Sequence, residues 1–123
     1  MTCLSDLYYK VGSWFSVATF VLALVTLPLA LSVWDSVFSF LMCGGIAFVG
    51  CAGDYKGNEH DIHYASACVS GICSLVWVAH VCPMCFYLLF ACLALVILDT
   101  KRWLLWCEVS CFIMVYIALL TSI

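Results

Sequence analysis

The stretch SWFSVATFVLALVTLPLALSV, Ser13 to Val33, contains no Asp, Glu, Lys, Arg or His. A helix crossing a ~30 Å hydrocarbon core needs about 20 mainly apolar residues, and this run supplies them. Pro28 lies inside it as an expected kink. The apolar run exceeds the about 7–15 residues of a secretory signal and no A-x-A site follows, so it reads as a span and not as a cleaved leader. Four further segments repeat the pattern: 36–53 after a tight turn at Trp34-Asp35, then 62–81, 83–98 and 103–122.

The whole chain agrees with that stretch. Of 123 residues, 67% are hydrophobic and 9% charged, and the mean hydropathy is +1.21. A soluble domain carries roughly 25% charged residues, so a soluble globular protein and a disordered tail are excluded. Four Lys and Arg residues cannot neutralise a run of phosphates, which excludes a nucleic-acid binder. No polar stretch is long enough for a second domain. The prediction is an all-α membrane protein over 1–123, an up-down bundle of five transmembrane helices. A four-span arrangement, with the third segment re-entrant, is the less economical alternative.

Five spans place the N-terminus, the 54–61 loop and the 99–102 turn on one side. Lys10, Lys56, Lys101 and Arg102 all fall there. Cytoplasmic segments carry the Lys/Arg excess, so the N-terminus is expected in the cytoplasm and the C-terminus outside. Short connections predict that sequential helices are antiparallel neighbours. Small residues mark where backbones approach: Gly44, Gly45 and Gly50 on the second span, Ala67-xxx-Gly71 and Ser66-xxx-Ser70 on the third. Trp14, Trp77, Trp103 and Tyr87, near span ends, are expected at the membrane interface.

Between the second and third spans the chain reads GDYKGNEHDIHY, Gly53 to Tyr64. Asn58 is a candidate N-cap, with Asp61 returning the hydrogen bond, so the third helix is expected to extend back to Asn58. Glu59 then shares a face with His63, and His60 with Tyr64, at i,i+4. His60 and His63, with Asp54, Glu59 and Asp61 nearby, have ligand types that hold a metal ion. The plainer reading is a solvated loop and a capped helix start, with His60 and Asp61 exposed and His63 just inside the interface.

Glu108 is the one carboxylate inside an apolar span, in WLLWCEVSC, Trp103 to Cys111. At 1.5 Å per residue it lies roughly 7–8 Å below the cytoplasmic end. A carboxylate there is costly unless it faces the bundle interior and finds a partner or a proton. His63 enters from the same side to a similar depth, so a His63–Glu108 hydrogen bond is geometrically possible. Ser5, Tyr8 and Tyr9, in a segment along the cytoplasmic interface, are further candidate partners. The expectation is a buried polar cluster of His63, Glu108, Ser5, Tyr8, Tyr9, Asp54 and Glu59. Such a cluster binds a small molecule or lipid headgroup, relays a proton, or fixes helix register.

At the opposite end, Cys82-Pro83-Met84-Cys85 is a C-x-x-C pair, which in an oxidising compartment can cycle between dithiol and disulfide. Ten cysteines in 123 positions give about 0.8 such pairs by chance, so the spacing alone carries little weight. Quinone-linked disulfide oxidoreductases relay electrons to a second exposed pair, and the only other outer loop, Trp34-Asp35-Ser36, has none. Pro83 is also accounted for as the first residue of a helix. The remaining cysteines within spans read as small apolar packers, and His80 as an interfacial residue.

No P-loop, G-x-S-x-G, H-E-x-x-H or dinucleotide fingerprint is present, and no cofactor is expected. In Ser5-x-x-Tyr8-Tyr9, Phe48-Val49-Gly50, His63-Tyr64 and Trp103 to Glu108 the chain resembles small multi-spanning membrane proteins of gut Bacteroidetes and their phages and prophages. It departs from that group where Gly53, Asp54 and Tyr55 replace a Pro and a Phe. The resemblance implies a bacterial or phage inner-membrane location and no particular activity. Three functions remain in view. The first is a membrane accessory or binding protein, with the bilayer and further copies of itself as partners. The second is a membrane-embedded enzyme or transporter for a lipid or small polar molecule, using His63 and Glu108. The third is an outer-face thiol–disulfide oxidoreductase at Cys82 and Cys85.

Overall fold

The computed structural model describes residues 4–52 and 57–123, with all of their side chains except that of Ser5. The Ser5 side chain, Asp54 and Lys56 therefore lie outside the described residues. All regular structure among those described is helical. A 3-10 turn over Leu4–Leu7 leads into a single α turn, α1 (Tyr8–Val11). Then follow α2 (Ser13–Val33), α3 (Val37–Cys51), α4 (Glu59–Val81), α5 (Leu88–Leu98) and α6 (Trp103–Ser122). Three stretches are long and apolar enough to cross a membrane: Ser13–Val33, Glu59–Val81 and Thr100–Ser122. The two other apolar helical segments, Val37–Cys51 and Pro83–Leu98, are shorter. At 15 residues α3 extends about 22 Å.

Each turn has a local cause. Gly12 adopts φ +62°, a conformation open to glycine and strained for a residue with a Cβ. It ends α1 and starts α2 at a sharp corner, where its N–H donates to the Tyr8 carbonyl at 2.7 Å. At the far end Ser36 caps α3, its hydroxyl accepting from the Ser39 N–H at 3.4 Å. The Ser39 hydroxyl in turn donates to the Trp34 carbonyl at 2.6 Å, which closes the α2–α3 hairpin. Asn58 does occupy the N-cap position of α4, but makes no side-chain cap. Its backbone, at φ −122° and ψ 11°, is outside the extended region from which an N-cap side chain reaches back. The Gly57 N–H is met instead by the Glu59 carboxylate at 3.2 Å.

Packing follows the small residues. A Cβ on Gly45 would stand 2.6 Å from the Ser70 Cβ and 3.0 Å from the Ser66 carbonyl, and the Ser70 hydroxyl donates to the Met42 carbonyl at 3.0 Å. A Cβ on Gly50 would collide with the Thr19 side chain, and the Ser16 hydroxyl donates to the Gly50 carbonyl at 2.7 Å. Gly45 and Gly50 therefore hold α3 against α4 and α2, and Ser66-xxx-Ser70 is the motif that meets α3. Gly44 and Gly71 have nothing within 4 Å of an added Cβ, so the contact does not run through Ala67-xxx-Gly71.

Sequential neighbours pack as α2–α3 and α3–α4, but the pattern breaks at α5. Helix α6 lies between α4 and α5, and α5 leans on α6. The 3-10 turn over Pro83–Tyr87 takes up the first residues after α4 and packs on both α4 and α6. Helix α5 therefore begins displaced from α4. Trp77 corrects the interfacial expectation: it is 0% exposed, at the centre of the core with Met42, Val78 and Met114. Trp14, Trp103 and Tyr87 are exposed.

Candidate functional site

The N-terminal end of the bundle gathers the charged and titratable groups. Gly12 turns the Leu4–Val11 segment back from α2, and its first turn packs against α6. The Leu4 N–H there donates to Oε2 of Glu108 at 2.7 Å. This is the partner that the carboxylate finds. The match is reasonable physically. The first N–H groups of a helical turn have no intrahelical acceptor, and a charged acceptor makes the stronger hydrogen bond.

His63 belongs to the same corner by another route. It is half-buried on the first turns of α4, and the Asp6 carboxylate acts electrostatically on both His63 and Glu108. Asp6 is thus the residue that links them, and sequence reading did not single it out. An acidic residue among apolar neighbours in a segment lying along the bundle end was the available signal. Tyr8 is half-buried beside it, whereas Tyr9 is 84% exposed with its ring edge-on to Tyr8. Glu59 is exposed and bound to the Gly57 N–H, outside the corner.

His60 and Asp61 are exposed, as expected. The His60 ring packs on Tyr64 at a tilt of 53° with centroids 4.5 Å apart, which realises the i,i+4 relation. Among the described residues no group of three or more His, Cys, Asp and Glu side chains is arranged to hold a metal ion. The 99–102 turn has its own acid: Asp99 accepts from the Trp106 indole N–H at 3.4 Å and pairs with Arg102 at 3.9 Å.

Deeper in the bundle, Thr26 on α2 and Tyr116 on α6 share a hydrogen bond of 2.8 Å between their hydroxyls. Neither residue stood out in the sequence, although each places a polar group within an apolar run. The Trp77 indole N–H has no partner among the described residues. At the far end, Trp34 stacks between neighbours: its ring lies 3.9 Å from His80 and 5.7 Å from Phe38 by centroids. His80 is therefore an exposed stacking partner at the α2–α3 turn. Cys82 and Cys85 sit at this same end, with their sulfurs 3.3 Å apart.

Chemically, the Asp6–His63–Glu108 corner offers two carboxylates and an imidazole beside an apolar bundle, covered by the chain's own N-terminal turn. That set accepts cations and protons and is poor at holding anions. No protein-family model, curated protein or solved structure matches the chain.

Proposed function

We propose that this chain is a multi-pass protein of a bacterial inner membrane, with its N-terminus cytoplasmic, acting as a membrane accessory or binding protein. In this reading all five apolar helical segments lie in the bilayer. The two short ones are accommodated by local thinning or by the flanking 3-10 turns. Support comes from the inside-out distribution of side chains. Ser16, Thr26, Ser39, Ser70 and Ser74 are buried, while large apolar side chains such as Phe20, Val21, Leu24, Phe40 and Phe90 are exposed. In lipid, helices associate through small and hydroxylated residues and turn their large apolar side chains outward. Lys10, Lys101 and Arg102 are exposed at the N-terminal end, which favours that end as the cytoplasmic one.

The observation that carries the binding role is the Leu4–Glu108 hydrogen bond. A carboxylate within an apolar helix is expensive and marks a functional site by default. Here it is covered by a separate segment, whose Asp6 acts electrostatically on both Glu108 and His63. The corner receives a small cationic or polar group, such as the amine of a lipid headgroup, at the cytoplasmic surface. The test is to make Glu108→Gln and His63→Ala separately and follow folded yield and thermal stability in detergent. Normal folding of both supports a binding site; collapse of both makes the corner a structural device and ends this reading. Fusions of alkaline phosphatase and of a fluorescent protein at Ile123 test the orientation. Phosphatase activity with a dark fluorescent fusion is expected, and the reverse pattern inverts the topology.

A further inference from the structure

The far end of the bundle carries a feature that the cytoplasmic corner does not use. Cys82 closes α4 and Cys85 lies one turn on, in the 3-10 segment Pro83–Tyr87. Their environments differ. Cys82 is half-buried, between exposed Pro83 and Met84 and the end of α4, whereas Cys85 is 6% exposed and belongs to the core cluster. The Cys85 thiol donates to the Cys82 sulfur at 3.3 Å. The Cys85 backbone N–H donates to the Cys82 carbonyl at 3.0 Å and holds the turn closed. The seven other cysteines described lie inside helices α3 to α6.

We propose that Cys82 and Cys85 form a redox dithiol that exchanges with the disulfide of a substrate, Cys82 attacking and Cys85 resolving. The division of labour follows from the geometry: one sulfur is reachable and accepts a hydrogen bond, and the other is enclosed and aimed at the first. The hydrogen bond from Cys85 favours the thiolate and holds the Cys82 thiol below its ordinary pKa. An attacking thiol gains from that bias. In the exchange, the Cys82 thiolate attacks one sulfur of the incoming disulfide and the substrate S–S bond breaks. Its electron pair leaves on the other substrate sulfur, which takes a proton. Cys85 then loses its proton to solvent and attacks the Cys82 sulfur. The mixed disulfide breaks, and the first substrate sulfur departs as a thiolate and is protonated. Two electrons and two protons have passed: the substrate disulfide is reduced to two thiols, and Cys82–Cys85 is oxidised. The reverse sequence oxidises a substrate dithiol, and the potentials of the two couples set the direction.

Glutathione and glutathione disulfide serve as the probe for the full chain in detergent. Samples are equilibrated in buffers of increasing glutathione-disulfide fraction, quenched in acid, labelled with a thiol reagent under denaturing conditions, and mapped by peptide mass spectrometry. Expected is a single transition in which Cys82 and Cys85 lose their labels together and appear as one intramolecular disulfide. Cys85→Ser should trap glutathione on Cys82, and Cys82→Ser should trap none on Cys85. Labels retained on both cysteines across the whole series would overturn the proposal. So would an oxidised species that joins either of them to a third cysteine. Trapping on Cys85 in Cys82→Ser, with none on Cys82 in Cys85→Ser, overturns the assigned roles. The wild-type mapping decides the pair even where a variant fails to fold.

Discussion

The Leu4 N–H and the Glu108 carboxylate, 104 positions apart in the chain, meet at 2.7 Å. One end of this bond is a backbone donor that the first turn cannot satisfy itself. The other is the only acid that interrupts the apolar run of α6. The bond therefore seats the N-terminal segment across the bundle end.

Glu108→Gln retains an oxygen that accepts from Leu4 while removing the charge that repels Asp6. Its thermal stability in detergent should equal or exceed that of the parent. Glu108→Ala removes the acceptor and leaves the Leu4 N–H without its partner. It should lower stability by about 1.5–3 kcal/mol, the usual contribution of a hydrogen bond to a charged group. A melt in which Ala is as stable as Gln would show that the bond contributes nothing.

Gly12→Ala puts a Cβ at φ +62°, which strains the corner by roughly 1–2 kcal/mol. The strain is relieved by releasing the segment before it, not by disturbing α2. Trypsin should therefore cut after Lys10, already exposed, faster in the variant than in the parent, while the melting of the rest changes little. Equal cleavage rates would mean that Gly12 does not govern the segment.

Neighbouring glycines of α3 should respond in opposite ways. Gly45→Ala forces a Cβ to 2.6 Å from that of Ser70, so α3 and α4 must separate, at about 1–3 kcal/mol. Gly44→Ala meets nothing within 4 Å and gains helix propensity, up to about 1 kcal/mol. Side-by-side thermal melts give the ordering, and the idea fails if the two variants are equally stable.

Thr26 and Tyr116 are the hydroxyl pair that ties α2 to α6, two helices that otherwise touch little. Thr26→Val, Tyr116→Phe and the double variant form a cycle. A coupling of about 0.6 kcal/mol, and no more than about 1.7, is expected for an interhelical hydrogen bond within a membrane protein. Strict additivity of the two single changes would remove the bond from the account.

Much of this architecture could be read along the chain. The bounds of α2 and α6 coincide with the apolar runs 13–33 and 103–122, because helix formation in an apolar setting is a local matter of length and hydrogen-bond closure. Glu108 was conspicuous for the same reason: one acid in an apolar run needs no tertiary information to be noticed. Asn58 shows where local reasoning fails. Its residue type suits a cap, but capping also requires an extended backbone, and the entry into α4 sets a different one.

Sequence by itself determined the apolar runs long enough to cross a membrane, the helical class, and the carboxylate that must be answered. Each follows from composition or from periodicity within about twenty residues. Tertiary structure alone decided what answers it. The Leu4 N–H, 104 positions from Glu108, reaches it with Asp6 because Gly12 reverses the N-terminus and the first turn packs on α6. The burial of Trp77 and the choice of Ser66-xxx-Ser70 over Ala67-xxx-Gly71 have the same origin. A helix's sequence specifies that its faces exist, and only the closest fit among several helices selects which face each neighbour covers.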